Sequence, residues 1–179
     1  MRDKKTMVNM VALIVIILFS ILMMFLFFFT DTSMVVSGSM NPLLQHGDRC
    51  LSLRLSFGEA WTSGLPFPLK RKDVVIISDS KYGAKLFKRV IGLPGETLEL
   101  KGNQVLIDGR ILEEPYALVD KNYNPRVFQI PMGKVMVLGD NRSHSRDSRE
   151  FGLVDIHHIN GKVLLRFYPI DRLRFFSLF

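Results

Sequence analysis

The sequence has one cysteine, Cys50, and one tryptophan, Trp61. A lone cysteine closes no intrachain disulfide, so the fold must rest on its core. Cys50 lies in an apolar alternation and reads as a buried thiol, not a nucleophile. His46, His157 and His158 have no Cys, Asp or Glu at metal-ligand spacing, so neither metal nor cofactor is expected. There is no nucleic-acid motif and no internal repeat. The formal net charge is +7, with Arg2 to Lys5 contributing +2. The other cations are dispersed, which suits an anionic lipid surface better than nucleic acid. Charge is missing altogether between Met7 and Thr30.

Apart from Asn9, Ser20 and Thr30, that uncharged run is apolar. As a helix it rises about 34–36 Å, enough for a hydrocarbon core of ~30 Å. The cationic start keeps the N-terminus in the cytoplasm. A cleaved signal peptide has an apolar region of only about 7–15 residues before a small-residue site. Thr30-Asp31-Thr32-Ser33-Met34 is a poor site of that kind, so the run reads as a retained anchor. The expected organisation is a cytoplasmic N-terminus (1–6), a transmembrane anchor (7–30) and an extracytoplasmic domain (31–179). That domain, about 150 residues, is long enough for a sizeable core.

Beyond the anchor the chain reads as strands. Leu51, Leu53 and Leu55 alternate, as on a half-buried strand. Phe57 to Leu69 mixes Gly58, Gly64, Pro66 and Pro68 with Phe57, Trp61 and Phe67. It is an apolar loop, either folded on the core or dipping into a membrane interface. Asp73 to Ile77 and Lys85 to Ile91 read as buried strands. In the second, period two sets Lys88 with Leu86 and Val90, and puts Lys85, Phe87, Arg89 and Ile91 opposite. Thr97 to Lys101, Gln104 to Ile107 and Arg110 to Leu112 form a three-strand meander around turns at Gly102-Asn103 and Asp108-Gly109. Glu113 to Arg126 is polar and reads as loop. Val127 to Ile130, Val135 to Leu138 and Gly161 to Tyr168 are further strands. Gly139 to Gly152 is a loop dense in charge and hydroxyls. The Phe-rich tail from Arg174 is too short for a second span. Together these predict an all-β domain, a sandwich or barrel of short antiparallel strands, with one N-terminal transmembrane helix.

Three stretches carry chemistry. The first is Ser37-Gly38-Ser39-Met40-Asn41-Pro42, where Gly38 permits a sharp turn and Pro42 fixes the exit. Alone, such a pattern is more often a solvated loop. The second is Lys88 to Gly95. A serine hydroxyl needs a base, and a lysine serves if burial lowers its pKa from ~10.4 toward 7–8. Lys88 on the Leu86–Val90 face fits; an exposed edge-strand lysine has the same periodicity. The third is Gly139 to Gly152, with His144 between Ser143 and Ser145 and with Asp147 close by. A Ser39–His144–Asp147 triad is therefore a second arrangement, although a polar loop histidine is the plainer reading. Asp147 and Arg149 are spaced for an ion pair that locks the loop.

With these stretches in this order, the chain resembles bacterial signal peptidase I, a family of membrane-anchored Ser/Lys proteases. Its serine box is matched by Ser37 to Leu44, its lysine box by Lys88 to Glu96, and its third box by Gly139 to Arg149. The family's Asp-Val-Val stretch is matched from Asp73. The resemblance implies Ser39 as nucleophile and Lys88 as general base. It implies that Ser37 offers its hydroxyl to the oxyanion beside the Ser39 N–H, and that Ser145 hydrogen-bonds and orients the lysine ammonium. Met40 would anchor the turn, Asp147 and Arg149 would form a supporting salt bridge, and Asp140 and Arg142 would be structural. The implied substrates are the signal peptides of exported preproteins, cut after small residues, at the cytoplasmic membrane and in contact with its lipids.

Leu43 stands where the family usually has Thr, Arg71-Lys72 precede Asp73 where Gly is usual, and Ser143-His144 replace a commoner Asp-Asn or Asn-Asn. None touches the implied nucleophile or base. Eukaryotic and archaeal relatives carry His in place of Lys88, so the bacterial type is implied. Two other readings keep the boxes: a specialised Ser/Lys peptidase of a conjugation or secretion system, and an inactive membrane-anchored binding domain. A repressor-like self-cleaving protein needs a DNA-binding domain where this chain has its apolar run.

Overall fold

A computed structural model describes residues 2–54, 69–79, 84–119 and 123–176. The apolar run is one helix, α1 (Arg2–Phe29), of which Thr6–Phe29 is long and apolar enough to cross a bilayer. Its described side chains are exposed all round, Leu26 alone being half-buried. An apolar helix with no protein against it suits lipid.

The expected anchor reached Thr30, but the helix stops at Phe29. Thr30 opens a strand, β1 (Thr30–Met34), which the polar sequence Thr-Asp-Thr-Ser did not announce. It pairs with β2 (Arg49–Arg54). Next come β3 (Val74–Asp79) and β4 (Ala84–Gly92), then the meander β5 (Thr97–Gly102), β6 (Gln104–Ile107) and β7 (Arg110–Ile111). β8 (Tyr123–Gln129) and β9 (Lys134–Leu138) precede a short helix, α2 (Ser148–Phe151). β10 (Val154–Asp155), β11 (Ile159–Tyr168) and β12 (Arg174–Phe175) complete the chain. All named pairings are antiparallel. One sheet runs β1-β2-β11-β3-β4-β9-β10 with β12 beside β11, and the other runs β7-β6-β5-β8.

The antiparallel β domain and its single apolar helix agree with the expected fold class. The meander forms, and Asp108 and Gly109, both at positive φ, supply the hairpin turn between β6 and β7. Several details differ. β8 starts at Tyr123 instead of Val127, because its ladder with β5 continues through a register shift to Gly102. Pro125 is tolerated there because β8 is an edge strand. β2 buries Cys50 and Ser52 and leaves Leu51 and Leu53 half-buried, the reverse of the simple alternation. Both its faces are covered: Cys50 joins one cluster with Val35 and Phe87, while Leu53 packs on another with Val75 and Val90. Burial pushes the Cys50 thiol up to about 12, consistent with an inert side chain. The third cluster (Ile91, Leu98, Val105, Met136, Leu138) joins the two sheets. Of the apolar loop, residues 57–68 lie outside the described residues; Leu69 packs on the second cluster. In the C-terminal tail Phe176 packs on the first cluster while Phe175 is exposed.

Candidate active site

β4 carries Lys88. Its register sets Lys88 opposite Val75, with Leu86 and Val90 on the same face in one apolar cluster. Lys88 is 2 % exposed. The opposite face is also buried, because Arg89 sits in a pair with Asp140 (Nε–Oδ1 2.8 Å, Nη2–Oδ2 2.5 Å) and over the Tyr116 ring at 4.0 Å.

The serine turn is held by its apolar neighbours. Val35, Met40 and Leu44 are fully buried together in the first cluster. The Asn41 N–H donates to Gly38 O and that of Leu44 to Met40 O. This brings Ser39 to the edge of β4. Lys88 Nζ and Ser39 Oγ lie 2.7 Å apart, and the Ser37 and Ser39 hydroxyls 3.2 Å apart. Burial lowers the Lys88 pKa from 10.5 to about 8; Asp147 and Asp140 raise it and Arg149 lowers it.

The third box wraps this pair. Asn141 N–H donates to Ser39 O at 2.9 Å, and Asn141 Nδ2 to Gly38 O at 3.3 Å. Gly139 lies so close that a Cβ there would sit 2.2 Å from Ser145 Oγ and 2.6 Å from Ser39 O. Asp147 is fully buried and takes the Gly139 N–H at 2.9 Å, the Ser145 hydroxyl at 2.7 Å and a two-pronged Arg149 at 2.8 and 2.9 Å. Arg149 also donates to Arg142 O and Ser145 O. Arg142 reaches Glu114 and the Tyr123 hydroxyl.

The structure therefore brings Ser37, Ser39, Lys88, Ser145, Asp147 and Arg149 into one region, with Met40, Asp140 and Arg142 buried around it. One expected contact is not formed: Ser145 donates to Asp147, and among the described residues Lys88 does not bond to it. The Ser145 proton is committed to Asp147, which leaves the Ser145 oxygen able to accept but not to donate. Nor does the alternative triad form. His144 is exposed and faces Asn141 Oδ1 at 3.3 Å, while Asp147 is occupied by Arg149. Sequence reading missed Glu114, Tyr123 and Tyr116, whose segment carries no motif, and the tight contact at Gly139.

Two strand edges of the larger sheet lack partners among the described residues. β1 is the edge of its sheet, and β4 pairs with β9 only from Arg89 onward. Among the described residues, 84–88 have no strand partner on that side. Lys85 Nζ spans the two edges, reaching Asp31 Oδ2 at 2.6 Å and Ser33 Oγ at 3.1 Å. Two free edges flanking a nucleophile can hold an extended peptide by backbone hydrogen bonds.

The family described as signal peptidase, peptidase S26, matches residues 7–168. A probable signal peptidase I-1 of Synechocystis sp. is 33 % identical over 154 residues, covering 82 % of this chain and 75 % of its own. Signal peptidase I U of Bacillus subtilis (strain 168) is 30 % identical over 187 residues, covering 97 % and 95 %. A crystal structure of a signal peptidase I from Enterococcus faecalis V583 is 32 % identical, with a TM-score of 0.47 over 52 % of this chain and 95 % of that one. The chain belongs to the peptidase S26 family of signal peptidases.

Proposed function

We propose that this chain removes signal peptides from exported preproteins, with Ser39 as nucleophile and Lys88 as general base. The observation that carries this reading is the buried 2.7 Å contact between Lys88 Nζ and Ser39 Oγ. Neutral Lys88 takes the hydroxyl proton as Oγ adds to the scissile carbonyl carbon. The Ser37 hydroxyl and the Ser39 N–H stabilise the oxyanion, each such donor being typically worth ~10²–10³ in rate. The ammonium then returns its proton to the departing amine, leaving an ester on Ser39. Water, deprotonated by the same lysine, hydrolyses that ester. Asp147, held by Arg149, fixes Ser145 and Gly139, and through them the floor beneath Lys88 and Ser39.

The signal peptide lies extended between the free edges of β1 and β4. Val35 and Phe87 are fully buried in the same apolar cluster as Met40 of the serine turn, a filled interior that favours small side chains before the cut. The cationic residues Arg2, Lys4 and Lys5, ahead of the apolar span, favour an N-terminus in the cytoplasm and residues 31–179 outside the cytoplasmic membrane. Full-length chain in lipid vesicles is expected to cut a preprotein bearing an Ala-x-Ala site into two fragments whose masses sum to the substrate plus water. Ser39→Ala is expected to abolish both fragments. Cutting at other bonds, or cutting that survives Ser39→Ala, would contradict the proposal.

A further inference from the structure

The turn that carries Ser39 is braced from behind by the C-terminal segment. Asp48, 1 % exposed, closes the loop that contains Ser37 and Ser39. Its backbone carbonyl accepts the Val35 N–H at 2.8 Å and its carboxylate accepts the Gln45 N–H at 2.8 Å. Two arginines far along the chain converge on this carboxylate. Arg172 meets Asp48 Oδ1 at 3.0 Å, Gln45 Oε1 at 2.8 Å and Pro42 O at 3.2 Å. Arg166 donates to Leu43 O, lies 3.4 Å from Asp48 Oδ2, and bonds through Nε to Arg172 O at 2.6 Å. Three residues of the serine turn, 42, 43 and 45, are thus each tied to a guanidinium.

Lys88 has no part in this bracing, since it sits on β4, held by β3 and β9. The serine turn and β4 share the first apolar cluster through Met40, Leu44 and Phe87, and the clamp is a support that the turn has in addition. Apolar packing of Met40 and Leu44 sets the depth of the turn. The arginines fix its position along the sheet, because directional bonds resist sliding where apolar contacts do not. Arg172 lies four residues beyond the part of the chain matched to the family.

We infer that Arg172, with Arg166 and Asp48, is a positioning residue that holds the Ser39 hydroxyl on Lys88. This rests on the proposed Ser/Lys reading. Without the clamp the turn slides, Ser39 leaves Nζ and water reaches the lysine. Misplacement by about 1 Å can cost on the order of 10²-fold in rate. The charged groups facing Lys88, namely Asp147, Asp140 and Arg149, stay in place, so rehydration alone moves its titration.

The test uses full-length chain in lipid vesicles and compares wild type, Arg172→Ala, Arg172→Lys and Gln45→Ala on an Ala-x-Ala preprotein. Arg172→Ala is expected to lower kcat about 10–100-fold with KM within twofold. The alkaline-rising limb of its pH–rate profile is expected to move upward from that of wild type. Arg172→Lys, keeping the pair with Asp48, and Gln45→Ala, losing one bond, are expected to shift both readouts less and in the same direction. Unchanged kcat and an unmoved profile in folded Arg172→Ala would overturn the inference. So would a kcat loss that merely tracks the folded fraction, as for a residue that only adds stability. If Arg172→Ala does not fold, Gln45→Ala and Arg172→Lys decide on the same two readouts. Absence of cutting by wild type would instead remove the Ser/Lys reading itself.

Discussion

Burial lowers the Lys88 pKa to about 8, against an ordinary 10.5, so about one molecule in ten holds it neutral at pH 7 and about nine in ten at pH 9. The rate of preprotein cleavage at low substrate is expected to rise about tenfold per pH unit below 8 and level off above it. A flat profile from pH 6 to 9 would exclude Lys88 as the titrating base. The same shift has a cost in stability. The folded chain binds the Lys88 proton less tightly than the unfolded chain, so the loss is full below pH 8 and disappears as pH rises past 10.5. Lys88→Met is therefore expected to be inactive yet more stable than wild type at pH 7, by up to roughly 3 kcal/mol, with the gain gone near pH 11. Urea unfolding at both pH values checks the sign. This residue was legible in the sequence, because period two alone set Lys88 with Leu86 and Val90. What alternation did not reveal is that Arg89, on the other face, is buried too. Its partner Asp140 is distant in sequence, and pairing between distant charges leaves no periodic trace.

Two elements meet at Gly139. The serine turn presents its Ser39 carbonyl and the third box presents Ser145, with no room between them for a methyl group. Gly139→Ala must push one of these apart, and the N–H that Gly139 gives to Asp147 ties the glycine to the same loop. Cleavage is expected to fall by about 10²-fold with a smaller effect on substrate binding, measured as a kcat and KM split. Full activity in Gly139→Ala would show that the loop gives way freely. The third box read as a loop, and its composition did disclose the Asp147–Arg149 pair. Its short helix α2 and the strand β10 were not legible, being only four and two residues long. β1 was hidden for a different reason. Thr30-Asp31-Thr32-Ser33 carries no apolar alternation, and it becomes a strand because β2 supplies partners from Thr30↔Leu53 to Met34↔Arg49.

The whole molecule is a β domain joined to an apolar helix with no loop between them, since α1 ends at Phe29 and β1 begins at Thr30. Ser39 therefore stands nine residues beyond Thr30, where the helix gives way to β1. In intact cells with a permeabilised outer envelope, external protease is expected to digest the domain and spare a tag on the N-terminus. The opposite pattern would reverse the proposed orientation. The anchor was legible as an uncharged apolar run, but the order of the sheet was not. β2 lies beside β11, with Arg54 opposite Gly161, and nothing local in either strand names the other. The account turns on Lys88 acting as base for Ser39, and its most direct test is cleavage of an Ala-x-Ala preprotein by full-length Lys88→Ala in vesicles, with folding confirmed by its thermal transition. The expected result is a fall of at least about 10³-fold. Cleavage within tenfold of wild type would contradict the account and return the role of base to His144.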